Sequence, residues 1–372
     1  MLNKSVLIIF SLWVSLFSSV AHSGITSSKL NCFGYSEKSD HTRQDFSELE
    51  ALDIYQKLHN ENLFHIKTLG SGTYGLTYVS TRYLNKTKKT GTIRSRRRRT
   101  YKVKVDTDEK YVIKEESSKS IASRIDSDPV FEKEARIMTM LKGSDLILDL
   151  IAYGEKKDGN QFIITPYEGT DLETACEHHM LPNNKDFFKR FHRFLFRAQE
   201  HLIKSGVSYL DWKPDNIVWQ KKSGTHKFTL IDFGLAQEFD DSEESDVQAG
   251  NLMTAAPEMF LSFQNFYKVS QANSFSIGAT AIVLNQCLKG KTSEIPSLEK
   301  NESGNMNEES YLTYLNYIQS VNDVPEFIKD MVINDPDQRL HYDLKSGQWI
   351  KALADQSGYR IFDPDRLEYR VD

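Results

Sequence analysis

The sequence predicts an α+β fold, because strand patterns and helix patterns occur in separate stretches of the chain. Residues 64–69 alternate apolar and polar side chains, and strand character returns at 76–80 and 111–114. Apolar residues recur at helical spacing over 130–141. A longer stretch, 187–205, is rich in Phe, Leu and Arg and is also predicted to be a helix.

Length and composition indicate a folded protein with no general affinity for polyanions. The chain has 372 residues, of which 39% are hydrophobic and 27% are charged. This leaves room for a leader and a folded region of about 250–300 residues. The net charge is −5, so we expect no nucleic acid partner.

The first 23 residues have the pattern of a secretory signal peptide. Lys4 supplies a positive charge, residues 6–20 are almost entirely apolar, and small residues in 21–23 mark a cleavage site before Gly24. A transmembrane helix needs roughly 20 apolar residues. We therefore expect cleavage, with an uncleaved membrane anchor as the alternative. The pattern predicts a protein that is secreted or lumenal, or that is exported to act inside a host cell.

Three cysteines, Cys32, Cys176 and Cys287, are too few and too widely spaced for a disulfide framework. One pair could form, and the sequence does not indicate which.

Two segments flank or interrupt the first predicted strands. Residues 24–60 form an N-terminal extension in which 47–59 are predicted to be an amphipathic helix. Residues 81–110 form an insertion that carries the basic run 94–99 and a glycosylation sequon at Asn85. The insertion is interpreted as a mobile loop, a docking patch for acidic partners or membrane, or a protease cleavage site. A second sequon begins at Asn301.

A glycine-rich stretch follows the first predicted strand. Gly70, Gly72 and Gly75 are spaced so that backbone N–H groups could approach phosphates. A dinucleotide-binding turn is the alternative, but it requires a helix directly after the glycines. Here the strand at 76–80 follows them, which favours a flap over a nucleotide.

Lys114 lies within an apolar strand and therefore requires an anionic partner. The next helix supplies one, because Glu134 shares its face with Ile137, Met138 and Leu141. Glu132 is an alternative with poorer spacing. Asp128 and Pro129 form the N-cap and first-turn pair that opens this helix.

The chemistry of the chain centres on the stretch Asp211-Trp212-Lys213-Pro214-Asp215-Asn216. Asp211 could deprotonate a hydroxyl group, and Asn216 could hold a metal ion on nucleotide phosphates. Asp232-Phe233-Gly234 follows a strand-like run at 228–231. Together these groups suit phosphoryl transfer.

The motifs D-x-K-P-x-N and D-F-G resemble those of eukaryotic-type Ser/Thr protein kinases, and the resemblance covers about residues 61–352. It implies a bilobal fold, with a small β-rich N-lobe carrying one helix (61–166) and a larger, mostly α-helical C-lobe (167–352). Residues 353–372 are then expected to be a polar tail.

The resemblance also implies roles for individual residues. Asp211 would be the catalytic base, Lys213 would neutralise the transferred group, and Lys114, placed by Glu134, would bind phosphates. Asn216 and Asp232 would bind Mg²⁺ or Mn²⁺. The residues implied to contact ATP, besides Lys114, are Leu69, Gly70, Gly72, Gly75, Thr77, Val112, Thr165, Tyr167 and Val218.

The stretch 250–258 resembles the end of a kinase activation segment, and Arg339 is the expected partner of Glu258. The acidic residues at 238–246 are interpreted either as a solvated loop or as a feature that favours basic substrates.

Four departures from the family pattern bear on whether the chain is an active kinase. Tyr209 and Leu210 replace His and Arg, Asn251 replaces Thr, and Asn273 replaces Asp. Without the Arg, switching by phosphorylation of the segment is not expected.

These motifs predict an ATP-dependent kinase that phosphorylates Ser or Thr in protein substrates. The alternative is a pseudokinase that binds ATP and acts as a scaffold or allosteric partner, which the four departures favour. A small-molecule kinase is a third hypothesis, and the predicted pair of Glu258 and Arg339 argues against it.

Overall fold

The computed structural model describes residues 63–71, 75–93, 96–116, 130–155, 160–240, 243–247, 249–260, 266–299, 307–353 and 358–370. The predicted leader, the predicted helix at 47–59, Cys32, Gly72, the pair Asp128 and Pro129, and Asn301 lie outside these residues.

The described residues form helices and strands in mixed order, which confirms the predicted α+β class. The helices are α1 (Val130–Met140), α2 (Leu172–Glu177), α3 (Lys185–Lys204), α4 (Val269–Leu288), α5 (Glu308–Ser320) and α6 (Glu326–Met331). The strands are β1 (Leu63–Ser71), β2 (Gly75–Ile93), β3 (Arg96–Glu116), β4 (Ala152–Glu155), β5 (Gln161–Pro166), β6 (Thr170–Asp171), β7 (Val207–Ser208), β8 (Ile217–Lys222), β9 (Thr225–Leu230), β10 (Gln237–Glu238), β11 (Glu244–Ser245), β12 (Tyr267–Lys268), β13 (His341–Asp343), β14 (Gln348–Ala352), β15 (Tyr359–Asp363) and β16 (Glu368–Tyr369).

The chain divides into two compact units. The sheet unit contains the described residues up to Thr170 together with Val218–Ala236. The helical unit contains Asp171–Ile217 and the described residues from Gln237 onward. The sequence had suggested a boundary at 166, with 218–236 in the C-lobe.

The sheet unit is built on five antiparallel strands in the order β1-β2-β3-β5-β4. Ile113 on β3 and Ile164 on β5 are paired in register and fully buried. Helix α1 packs against β5 and buries Phe131 and Ile137. Burial of these side chains stabilises the unit by roughly 1.5–3 kcal/mol each.

A mobile loop was one interpretation of the insertion at 81–110, but the described residues there form a long hairpin. Backbone pairing of β2 with β3 runs from Gly75 and Glu116 to Ile93 and Arg96. The strand signal is present in the sequence, because Tyr101, Val103 and Val105 alternate with polar residues. The arginine run obscures this alternation.

The apolar stretch 146–153 has the composition of a strand, but most of it does not form one. Regular strand structure begins only at β4, and Ile147 forms an isolated parallel bridge with Leu230. The N–H of Leu148 donates to the carbonyl of Leu230 (3.0 Å), and the N–H of Leu230 donates to that of Leu146 (2.9 Å). Residues 146–148 thus pair with the end of β9, whereas the N–H of Ile151 already donates to the carbonyl of Ile164 in the main sheet (2.9 Å).

The helical unit is organised around α4, which is buried along most of its length. Its small residues permit close packing, since a Cβ atom at Gly278 would lie 2.8 Å from the Met331 Cβ atom. Helix α3 begins at Asn184, whose side chain accepts a hydrogen bond from the N–H of Phe187 (2.9 Å).

The segment 353–372 was expected to be a polar tail, but residues 359–369 contribute β15 and β16 to a four-stranded sheet. Phe362 is buried, with its ring centroid 4.8 Å from that of Phe196 on α3. Trp349 is buried in the same aromatic cluster, with its ring centroid 4.6 Å from that of Phe196. Phe362 and Trp349 therefore anchor this sheet against α3.

A disulfide bond joins Cys176 on α2 to Cys287 on α4, across a sequence separation of 111 residues. None of the helices in the described part of the chain is both long enough and apolar enough to span a bilayer.

Removing the disulfide should destabilise the protein. We expect the double substitution Cys176→Ser and Cys287→Ser to lower the free energy of unfolding by about 2–4 kcal/mol, because the unfolded chain loses a long cross-link. Thermal and denaturant unfolding of protein purified without reductant would measure this. Cys32→Ser is the control and should leave unfolding unchanged; equal stability of all three proteins would show that the bond does not form.

Candidate active site

Lys114 in the sheet unit is held between two carboxylates. Its Nζ atom donates to the Glu134 carboxylate at 2.8 and 3.1 Å and to Asp232 Oδ1 at 2.9 Å. Strand β3 supplies the lysine, α1 supplies Glu134, and the loop after β9 supplies Asp232. Three elements distant in sequence therefore meet at one ammonium group.

Burial and charge act in opposite directions at this cluster. Burial alone would lower the pKa of Lys114, but the charges of Asp232 and Glu134 outweigh burial and raise that pKa. Burial raises the pKa of Glu134, Lys114 opposes the rise, and Asp232 adds to it. The lysine is therefore a permanent cation, which suits it to bind an anion.

The backbone at Asp232 adopts an uncommon conformation, with φ at +58°. Asp is one of the few residues that tolerates this left-handed region. The Asp232 side chain, 46% exposed, accepts a weak hydrogen bond from the N–H of Gly234 (3.3 Å). A Cβ atom at Gly234 would lie within 4 Å of Asp232, Glu134 and Lys114. The turn thus holds a carboxylate toward the lysine and keeps the space beside it small.

The other predicted nucleotide contacts also lie in the sheet unit. The strand registers pair Gly70 with Thr77, Thr77 with Lys114, and Val112 with Thr165. Gly75 opens β2. Thr165 and Val218 are buried, Val112, Thr77 and Tyr167 are half-buried, and Leu69 is exposed.

The helical unit holds the second cluster, on the loop that follows β7. Asn216 Nδ2 donates to the backbone oxygen of Asp211 (2.9 Å) and to Asp211 Oδ2 (2.8 Å). Lys213 Nζ lies 3.1 Å from Asp211 Oδ2 and 3.2 Å from Asp215 Oδ2. Burial would lower the pKa of Lys213, but Asp211 and Asp215 raise it. Asp211 is thereby fixed by an amide and an ammonium group.

Apolar packing replaces the family's His-Arg pair in this loop. Tyr209, Leu210 and Trp212 are all buried, and the Tyr209 and Trp212 rings meet edge to face at 5.2 Å. Asn273 is also buried, and its Nδ2 atom donates to the Ser208 hydroxyl (3.2 Å). Packing thus accommodates Tyr209 and Leu210, and the hydrogen bond to Ser208 accommodates Asn273.

The stretch 250–255 lies directly against this loop. Gly250 has φ at +107°, and a Cβ atom there would lie 2.1 Å from the carbonyl oxygen of Leu210. The Oδ1 atom of Asn251 accepts a hydrogen bond from the N–H of Met253 (2.9 Å). Its carbonyl accepts from the N–H groups of Thr254 and Ala255. Asn251 therefore closes a local turn.

Arg339 is paired with Glu258, as the sequence predicted. Its Nη2 atom lies 2.8 Å from Glu258 Oε2, and Nη1 also contacts the carboxylate. The guanidinium is fully buried and donates to the carbonyls of Ile333, Asn334 and Gln271 as well. A buried bidentate pair of this kind fixes the end of the segment to the helical unit.

Sequence reasoning missed the roles of Asp215 and Gly250. Asp215 could have been identified from its position two residues after Lys213, which places two acids beside one lysine. Gly250 carries no sequence signal for its contact with Leu210, because the two residues are far apart in the chain.

Removing the lysine should leave a buried charge without its partner. We expect Lys114→Ala to lower the free energy of unfolding by about 3–5 kcal/mol, because Glu134 stays buried. Adding Glu134→Gln should restore much of the loss, since no buried charge then remains. Chemical denaturation measures both effects, with Lys110→Ala on the same strand as control. A loss that Glu134→Gln does not reduce would contradict the ion-pair explanation.

Comparison with known proteins identifies the family. A family model described as a protein kinase domain matches residues 98–350, more than half of the chain. The glycine-rich stretch 70–75 precedes the matched residues.

Relatives share part of this region. The chain is 26% identical to serine/threonine-protein kinase AtPK2/AtPK19 of Arabidopsis thaliana over 45% of this chain and 37% of that protein. It is 30% identical to cell cycle serine/threonine-protein kinase hsk1 of Schizosaccharomyces pombe over 30% of this chain and 21% of that protein. It is 35% identical to serine/threonine-protein kinase unc-51 of Caenorhabditis elegans over 29% of this chain and 13% of that protein. The matches thus span well under half the length of these relatives. Because the family model matches more than half of the chain, the chain belongs to the protein kinase family.

Proposed function

We propose that the protein transfers the γ-phosphoryl group of ATP to Ser or Thr hydroxyls of protein substrates. The observation that carries the proposal is the Lys114 ammonium, held between Glu134 and Asp232. A permanently charged lysine at the centre of a sheet suits nucleotide phosphates, which need a fixed cation. Membership of the protein kinase family and the serine/threonine kinases among the relatives support the same reaction.

The sheet unit supplies the groups that bind nucleotide. Thr165, Val112 and Val218 offer apolar surface to an adenine ring, and Lys114 would bind the phosphates. Asp232 would ligate Mg²⁺ through its half-exposed carboxylate. Carboxylate and amide oxygens are the donors that Mg²⁺ and Mn²⁺ prefer. The ion, when bound, would neutralise phosphate charge.

The helical unit supplies the groups that act on the acceptor. Asp211 would accept the proton of the substrate hydroxyl, oriented by the hydrogen bonds from Asn216. Because Asn216 donates through Nδ2, its amide oxygen is the atom that would ligate a metal ion. Lys213 would neutralise the transferred group, and its bond to Asp211 holds both side chains in place. Lys213 at this position also resembles Ser/Thr rather than Tyr kinases.

A phosphate-transfer assay tests the reaction. The chain from Gly24, with ATP, Mg²⁺ or Mn²⁺ and basic test proteins, should place phosphate on Ser or Thr, located by mass spectrometry. Asp211→Ala and Asp232→Ala should each lower the rate at least about 100-fold, because each removes a group that acts on the reacting atoms. Asp145→Ala, an exposed carboxylate in the sheet unit, is the control.

Other outcomes of this assay separate the alternatives. Phosphate on Tyr alone would contradict the specificity inferred from Lys213. Absence of transfer, with ATP binding that Lys114→Ala abolishes, would favour the pseudokinase.

We further propose that the protein is exported and folds in an oxidising compartment. The disulfide between Cys176 and Cys287 supports this, because such bonds persist in secretory compartments and are rare in the cytosol. The acidic residues at 238–246 would favour basic substrates in that setting.

Expression through a secretory pathway tests the proposed export. The mature chain should begin at Gly24, carry carbohydrate at Asn85 or Asn301, and present a single titratable thiol, that of Cys32. N-terminal sequencing, intact mass and thiol titration measure the three properties. An N-terminus at Met1 with three reactive thiols would contradict the proposal.

A further inference from the structure

The stretch 237–260, here named the tethered segment, is bound to the helical unit at successive points. Strand β10 pairs with β7, and the N–H of Phe239 donates to the carbonyl of Gly206 (3.0 Å). Further along, β11 pairs with β12, and the N–H of Val269 donates to the carbonyl of Glu243 (2.8 Å). The first half of the segment is thus held by backbone hydrogen bonds.

Three tyrosine hydroxyls hold the tethered segment from Val247 onward. Tyr267 donates to the carbonyl of Val247 (2.7 Å), and Tyr311 donates to the carbonyl of Ala255 (2.9 Å). Tyr314 donates to the carbonyl of Met253. Tyr311 and Tyr314 lie on consecutive turns of α5, are fully buried, and have rings stacked with centroids 6.2 Å apart.

The hydroxyls remain donors across the physiological pH range. Burial raises the pKa of Tyr311 and of Tyr314, and it raises that of Tyr267 to about 12. A buried carbonyl oxygen needs a hydrogen-bond donor, and Ala255 is buried, so loss of the Tyr311 hydroxyl is costly there. The carbonyls of Met253 and Val247 belong to half-buried residues.

These contacts lead to the catalytic loop through the backbone. Met253 and Ala255 belong to the turn that Asn251 closes, and Gly250 at its start packs against the carbonyl of Leu210. Leu210 directly precedes Asp211. A shift of the turn would therefore move the residue beside the proposed base.

The strand pairings and tyrosine hydrogen bonds hold the tethered segment without a phosphate group. Leu210 is apolar and buried where the family pattern has a phosphate-binding Arg. Arg339 is already committed to Glu258 and to three backbone carbonyls. We propose that Tyr311, Tyr314 and Tyr267 are positioning residues that hold the tethered segment in its active arrangement, so that the kinase works with this segment unphosphorylated. This inference rests on the proposed function.

Kinetics of phosphate-free protein form the first test. Protein coexpressed with a phosphatase, and free of phosphate by intact mass, should transfer phosphate from the first turnover without a lag. A phosphate-free protein that is inactive until phosphate appears on Ser245 or Thr254 would overturn the proposal.

Tyrosine variants form the second test. Tyr311→Phe and Tyr314→Phe should each lower kcat about 5-fold, the effect of one lost hydrogen bond, with the KM for ATP unchanged. Tyr317→Phe, half-buried on the same helix, is the control. Wild-type kcat in both variants would overturn the proposal.

Hydrogen exchange separates this inference from the proposed function. Amides of residues 251–256 should exchange faster in Tyr311→Phe and Tyr314→Phe than in the parent or Tyr317→Phe. If the parent transfers no phosphate, the proposed function fails, and exchange alone decides whether the tyrosines hold the segment. Unchanged exchange in both variants would overturn their positioning role.

Discussion

The half-buried ammonium of Lys114 sets the main constraint on the sheet unit. An uncompensated charge inside a protein is costly, so β3, α1 and the loop after β9 must each be placed where their side chains meet. Glu134 satisfies the requirement from a helix whose remaining inward residues are apolar, and Asp232 satisfies it from a backbone conformation that few residues accept. The same contacts that stabilise the unit therefore also prearrange charge for an anionic ligand.

The helical unit also contains a charge that needs compensation, and there the cation is an arginine. Arg339 is fully buried, and its donors are taken up by Glu258 and by backbone carbonyls. No lysine could replace it, because a single ammonium group lacks the planar fork that matches a carboxylate. In both units, a paired cation thus ties together elements that are distant in sequence.

Much of the candidate site could be predicted because its signals are local. Glu134 follows from helical spacing, and Asp211 and Asn216 lie five residues apart on one loop. Contacts that join distant segments could not be read in this way. The hydroxyl of Tyr311 reaches a carbonyl 56 residues away, and nothing near either residue marks the pair. The disulfide pairing could not be predicted for the same reason, since three cysteines allow several pairings.

The four-stranded sheet β13–β16 also could not be predicted from the sequence pattern. Its contacts have a consequence for how the chain folds during synthesis. Arg193 on α3 donates to the backbone of Asp365, 172 residues later, and Phe196 packs on Phe362. Translation delivers α3 long before these partners leave the ribosome. The aromatic core of the helical unit therefore stays incomplete until residues 359–369 have emerged, and α3 keeps apolar surface exposed until then.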